Sequence, residues 1–188
     1  MTGIHREIEI KLALKDATSG RALLRAAGYR VSVRRVLEQN AAYDFPDGRL
    51  RAAGSLLRLR TAGKAATLTF KGPQAGGKHK SREEIESTIP DAAPLAAIFA
   101  GIGLQPVFRY EKYRTEYRAG GEGIAMLDET PIGVFLELEG PPSWIDGAAR
   151  ELGFTEAAYI TASYATLFFE WKARSNSPAE HMTFATKT

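Results

Sequence analysis

The sequence predicts one α+β domain in which eight short, mostly antiparallel strands form a closed or nearly closed barrel flanked by helices. The main support for this prediction is the alternation of apolar and polar residues with a period of two, which is typical of strands. Turns that contain glycine or proline separate several of these segments. The predicted strands span 7–14, 33–43, 55–61, 65–71, 81–89, 110–117, 124–129 and 133–139.

Four helices are predicted between and after these strands. The first spans 16–27 and ends before a glycine, and the second opens at Asp91 and ends at Gly101 or Gly103. A third spans 143–152, with Ser143 as its N-cap. The fourth spans 161–174 and has an amphipathic face. Little pattern follows, so we expect a domain over 1–174 and a mobile tail over 175–188.

Composition excludes several classes of protein. The chain has 188 residues, 44% of them hydrophobic and 25% charged, which suits one globular domain. With 25 basic and 22 acidic residues, the charge is too even to predict nucleic-acid binding. The absence of cysteine excludes a disulfide scaffold and a thiolate metal site. There is no long apolar run and no apolar N-terminal stretch, so we expect a cytoplasmic protein without a membrane span.

The charged residues fall on one face of nearly every predicted strand, because alternate side chains point to opposite faces. For any single strand, an ordinary solvated sheet face explains this pattern. The strands taken together favour another arrangement. Like charges recur two residues apart, as in Glu7 and Glu9 or Arg58 and Arg60, and they are sorted by strand, with acids on the first and last. If the sheet closes, the charged faces line its interior and the apolar faces lie outside, under the helices.

A lumen of this kind suits a particular ligand. Clustered carboxylates are ligands for Mg²⁺ or Mn²⁺, and clustered arginine and lysine side chains bind phosphoryl oxygens. Both together predict a polyanion that binds with a divalent cation, either a nucleoside triphosphate or an inorganic polyphosphate.

Motifs in a fixed order support this interpretation. Glu7-Ile8-Glu9-Ile10-Lys11 forms an ExExK pattern near the start of the chain. It is followed by RLR at 58–60, LTFKGP at 68–73, REEIE at 82–86, KYR at 112–114, LD at 127–128, GVFLELE at 133–139 and the Ser163-Tyr164 step. The ordered set resembles the CYTH proteins, also called triphosphate tunnel metalloenzymes. The resemblance implies an eight-stranded antiparallel tunnel that binds a triphosphate through basic side chains and a divalent metal through acidic ones.

The resemblance also assigns roles to individual residues. The implied metal ligands are Glu7, Glu9, Asp128, Glu137 and Glu139. The implied triphosphate clamp is Lys11, Arg58, Arg60, Lys71, Arg82, Lys112 and Arg114. Asp128, Glu84 and Glu86 are the implied catalytic residues. Asp128 would bind metal or position water, whereas Glu84 and Glu86 would orient basic residues, bind a second metal or form structural ion pairs.

Known activities of the family are inorganic tripolyphosphatase, thiamine triphosphatase, class IV adenylyl cyclase and RNA triphosphatase. We expect a hydrolase of a small triphosphate, since no adenine pocket is legible in the sequence. A class IV adenylyl cyclase is the first alternative, and a non-catalytic polyphosphate-binding module is the second. The expected partner is the small-molecule triphosphate, and we expect no specific nucleic-acid partner. Whether the protein forms a homodimer is left open by the sequence. The loop over 72–81 could close a tunnel mouth, and Lys172 and Arg174 are either tunnel residues or a solvated helix end.

Overall fold

Eight strands close into a barrel in which every hydrogen-bonded pair of neighbours is antiparallel. The computed structural model describes residues 3–185. Around the barrel the strands follow the order β1-β5-β4-β3-β2-β6-β7-β8, and β8 pairs with β1. The strands are β1 Gly3–Leu14, β2 Arg30–Asp44, β3 Leu56–Ala62, β4 Ala65–Lys71, β5 Lys80–Ile89, β6 Gln105–Arg118, β7 Ile124–Thr130 and β8 Gly133–Glu139. The predicted barrel is confirmed.

Five α-helices flank the barrel: α1 Ala17–Ala26, α2 Arg49–Ala52, α3 Ala92–Gly101, α4 Pro142–Glu151 and α5 Tyr164–Ser175. Asp16 and Ser163 cap α1 and α5 by accepting backbone N–H bonds from Ser19 and Thr166. The predicted cap at Ser143 is wrong, because α4 already begins at Pro142 and its N-cap residue makes no side-chain hydrogen bond. Proline suits this first turn, where an N–H would have no intrahelical partner.

The one-turn helix α2 is absent from the sequence-based prediction. A residue of β2 stabilises this helix, because the Asp44 carboxylate accepts hydrogen bonds of 3.0 Å from the backbone N–H groups of both Leu50 and Arg51. None of the helices in the described part of the chain is long and apolar enough to cross a membrane.

The main apolar core lies outside the barrel, between its wall and the helices. Ile10, Leu12, Leu127, Leu136 and Leu138 point outward from β1, β7 and β8 and are fully buried, in one cluster with residues of α1 and α4. The apolar faces of these strands are therefore covered as the alternation predicts, and the opposite faces are left for the lumen.

Helix α5 packs an aromatic cluster against one end of the lumen. Tyr164 and Phe168 contact Phe108, Tyr110 and Phe135, whose side chains share the lumen face of their strands. The aromatic side chains fill this end of the barrel.

Part of the predicted mobile tail over 175–188 packs on the barrel through Met182 and Phe184, and residues 186–188 of that prediction lie outside the described residues. Met182 is fully buried, and its backbone exchanges hydrogen bonds with Arg109 and Glu111 of β6. Phe184 packs against Tyr113 with ring centroids 5.1 Å apart. Isolated apolar residues such as these form no periodic pattern, so the sequence does not reveal them.

Candidate functional site

The lumen is a cavity of about 810 Å³, and about half of the residues that line it are charged. Every predicted site residue except Asp128 lines it: Glu7, Glu9, Lys11, Arg58, Arg60, Lys71, Arg82, Glu84, Glu86, Lys112, Arg114, Glu137 and Glu139. Asp128 is fully buried in the barrel wall beside them. Acids and bases from distant parts of the sequence thus meet in one lumen.

Three carboxylates form a compact group, here called the acidic triad: Glu7 and Glu9 of β1 and Glu139 of β8. One oxygen from each lies within 4.8 Å of the others. Burial, together with the charges of Glu7 and Glu9, raises the pKa of Glu139 to about 7. Burial also acts to raise the pKa of Glu9, but the nearby charges of Lys11 and Lys80 outweigh it and hold that pKa well below its ordinary value.

Lysines compensate the negative charge of the triad. The Lys71 ammonium pairs with Glu7 and, at 2.8 Å, with Glu84. Lys11 pairs with Glu9 at 2.8 Å and with Glu137 at 3.4 Å.

Lys80 also donates to Glu9, and sequence reasoning missed it because the predicted strand began one residue later. Continuing the alternation backward from Arg82 places Lys80 on the lumen face, so the signal was present. Burial and the charge of Lys11 lower the pKa of Lys80 to about 8.

Asp128 forms a second centre, apart from the acidic triad. Its carboxylate accepts hydrogen bonds from Lys112 at 2.8 Å, from Arg114 at 2.7 and 2.6 Å, and from the Tyr164 hydroxyl at 2.7 Å. Glu137 also pairs with Arg114. The structure thus places Asp128 and Glu137 among the bases of β6, whereas the resemblance grouped both with the metal ligands.

Arg58 and Arg60 of β3 face a separate set of acids. Arg58 lies 3.8 Å from Glu84 and 3.5 Å from Glu86, and Arg60 lies 3.6 Å from Glu86. Arg60 also donates to Glu38 at 3.0 Å, a buried acid that sequence reasoning missed. Although burial opposes it, the charges of Arg114, Lys112 and Arg60 lower the pKa of Glu38 to about 2.

Two buried guanidinium donors lack acceptors. Within residues 3–185, Arg58 Nε and Arg60 Nε have no hydrogen-bond partner. A buried donor without a partner is costly, and an anion within hydrogen-bond distance of either Nε would remove that cost.

The β4–β5 loop is attached to the outside of the barrel. His79 Nε2 lies 2.8 Å from Asp146 of α4, and Lys78 lies 2.9 Å from Asp146 and 2.7 Å from Glu156. At the far end of α5, Arg174 lines a surface groove with Glu170 and Trp171.

The donor chemistry of the acidic triad fits a hard divalent cation. Carboxylate oxygens are the ligands that Mg²⁺ and Mn²⁺ prefer, and three of them converge here from two adjacent strands.

Comparison with known proteins agrees with this geometry. A provisionally named adenylate cyclase of Methanocaldococcus jannaschii is 29% identical over 133 residues, which are 71% of this chain and 75% of that protein. The adenylate cyclase CyaB of Aeromonas hydrophila is 28% identical over 174 residues, 86% of this chain and 87% of that protein. A provisionally named adenylyl cyclase of Hippeastrum, described as having a dominant triphosphatase activity, has a similar structure. Its TM-score is 0.66 at 22% identity, over 87% of this chain and 95% of that one. The CYTH domain family model matches residues 5–164, so this chain belongs to the CYTH domain family.

Proposed function

We propose that this protein is a divalent-cation-dependent hydrolase of a small triphosphate bound in the barrel lumen. The observation that carries the proposal is the placement of the acidic triad beside a converging set of bases in one closed barrel. The triad lies on β1 and β8, whereas Arg58 is on β3 and Lys112 and Arg114 are on β6. Around the barrel, β3 lies three positions from β1 and four from β8, and β6 lies three positions from β1 and two from β8, so basic groups approach a lumen ligand from several sides.

The basic side chains would hold and neutralise the triphosphate. Arginine can bind phosphoryl oxygens in a bidentate manner, and lysine adds point charges. Asp128 positions Lys112 and Arg114, and Glu84 positions Lys71 and Arg58. Pre-positioned charges of this kind are the main protein contribution to phosphoryl transfer, which needs little covalent help.

Glu7, Glu9 and Glu139 would hold the cation. When bound, Mg²⁺ or Mn²⁺ supplies Lewis-acid polarisation of a phosphoryl oxygen and lowers the pKa of coordinated water. In hydrolysis, the oxygen of water forms a bond to the terminal phosphorus while the bond from that phosphorus to the bridging oxygen breaks. Orthophosphate and a diphosphate are the products, and the basic side chains would neutralise both.

A panel of triphosphates tests the proposal. Tripolyphosphate, thiamine triphosphate and ATP are each incubated with Mg²⁺ or Mn²⁺, and the products are identified by phosphorus NMR. We expect orthophosphate, formed only with a cation present. Glu9→Gln should raise the cation concentration needed for half-maximal hydrolysis. Glu83→Gln should not, because Glu83 is exposed on the face of β5 that points away from the lumen. Release of no orthophosphate from any substrate would refute the proposal.

A class IV adenylyl cyclase is the second candidate, because both sequence relatives above carry the name adenylate cyclase. The same clamp serves this reaction when the ribose 3′-hydroxyl attacks the α-phosphorus. Pyrophosphate and cyclic AMP from ATP would identify a cyclase in the same experiment. If the cation neither binds nor changes triphosphate affinity, the protein is a binding module.

A further inference from the structure

Lys80 differs from the other buried lysines beside the acidic triad in having a single acid partner. Among the residues that the structure describes, Lys11 pairs with both Glu9 and Glu137, and Lys71 pairs with both Glu7 and Glu84. The ammonium of Lys80 pairs only with Glu9, although the side chain is 5% exposed. Arg82 also has one acid partner, Glu7, but it already belongs to the predicted clamp.

The backbone at Lys80 is held from outside the barrel. His79 precedes it and points to the opposite face, where its ring lies 2.8 Å from Asp146. Tyr159 donates to the same Asp146 oxygen at 3.1 Å, and Lys78 pairs with Asp146 at 2.9 Å. Because these contacts anchor the chain, a change at Lys80 is confined to its flexible side chain.

A cation in the acidic triad would affect the three lysines differently. When Glu9 becomes a ligand, Lys11 keeps Glu137 and Lys71 keeps Glu84. Among the described residues, Lys80 keeps no other carboxylate within ion-pair distance, and the added positive charge repels it at short range. A buried ammonium without a counter-charge is strongly disfavoured, so Lys80 needs another anion. Within the same lumen, that anion is the phosphate chain of the substrate.

We propose that Lys80 exchanges partners during binding: it neutralises Glu9 while the triad holds no cation, and it pairs with the triphosphate once a cation takes Glu9. Lys80 thereby couples the binding of cation and triphosphate. This inference rests on the proposed function, because it uses the same triad and the same lumen ligand.

The first test uses metal binding without any substrate. Mn²⁺ is titrated into the metal-free protein, and free Mn²⁺ is followed by electron paramagnetic resonance. Lys80→Gln should bind Mn²⁺ about fivefold more tightly than the wild type, because a competing cation is removed. Lys80→Arg should restore the weaker binding. Lys64→Gln, which removes the same charge from the exposed β3–β4 turn, should leave the affinity unchanged.

The second test measures the other half of the exchange by calorimetry, with a tripolyphosphate analogue whose bridging oxygens are replaced by imido groups. With Mn²⁺ present, Lys80→Gln should bind the analogue about fivefold more weakly than the wild type. Without Mn²⁺ the two proteins should bind it equally. Lys80→Met takes the place of Lys80→Gln if the latter shows no cooperative unfolding transition.

The outcomes separate this inference from the proposed function. Mn²⁺ binding to Lys80→Gln that is unchanged or weaker overturns the exchange, even if the wild type hydrolyses triphosphates. The expected Mn²⁺ result, together with a wild type that hydrolyses no triphosphate, supports the exchange and overturns the hydrolase. A wild type that binds no Mn²⁺ without substrate overturns the exchange, while the hydrolase is judged by orthophosphate release alone.

Discussion

Asp128 offers a sharp test of whether the buried charge network stabilises the barrel. Asp128→Asn preserves the shape of the side chain but removes its charge and replaces one of two acceptor oxygens with a donor. Both oxygens now accept hydrogen bonds, from Lys112, Arg114 and Tyr164. Removing one partner of a buried ion pair costs about 3–5 kcal/mol. We expect the lower end, about 3 kcal/mol, because Arg114 retains Glu137.

Glu129→Gln is the matched control, since Glu129 adjoins Asp128 but points outward. Its pair with Arg35, at 2.8 Å, is partly exposed and should contribute about 0.5 kcal/mol. Urea unfolding in EDTA measures both changes. With an m-value of about 2 kcal/mol/M, the midpoint should fall by about 1.5 M for Asp128→Asn and about 0.3 M for Glu129→Gln. Equal shifts would mean that the buried network adds no more stability than a surface pair.

Three further predictions concern other parts of the molecule. The pKa of Glu139 is raised from 4.5 to about 7, so the folded state favours the protonated carboxyl. The stability that the protonated Glu139 contributes is complete below pH 4.5 and is lost as the pH rises through 7. In EDTA, Glu139→Gln should therefore be more stable than the wild type at pH 8 but not at pH 4.5, which thermal unfolding would show; a difference independent of pH would refute this. Asp146→Ala removes the common partner of Lys78 and His79, so amide hydrogen exchange should accelerate over 74–80, and unchanged exchange would mean that the anchor is dispensable. Met182→Ala should cost about 2–4 kcal/mol of unfolding free energy because Met182 is fully buried, whereas a mobile tail would show no loss.

The alternation of residues predicted most of the lumen because strand side chains have an exact period of two. Once the sheet closes, that period alone decides which side chains face inward, as it did for Arg58 and Lys112. Glu38 was missed because no clear alternation of apolar and polar residues surrounds it, although β2 pairs with β6 in regular register from Val36 to Ala42. The Ser163-Tyr164 step was part of the resemblance, which gave Tyr164 no role. Its contact with Asp128 depends on how α5 packs on the barrel, which no local pattern reports.

The resemblance could assign residue types but not pairings. It placed Asp128 and Glu137 with the metal ligands by their positions in the family motifs, with water positioning as the other role of Asp128. In the structure, Asp128 accepts from Lys112 and Arg114, while a separate group of three carboxylates lies on β1 and β8. Which acid pairs with which base depends on the stagger of the strands, and that stagger is set by the whole closed sheet.

The shared pairings explain how a lumen this charged can be stable without a ligand and still bind one. Several bases contact two acids: Lys71 contacts Glu7 and Glu84, and Arg58 lies near Glu84 and Glu86. Such a base can exchange one carboxylate for a phosphate oxygen without being left unpaired in a buried site, where an unpaired charge is most costly. Because the apolar core lies outside the barrel, against the helices, this exchange does not require the core to be repacked. Binding can thus rearrange charges within a wall that stays intact.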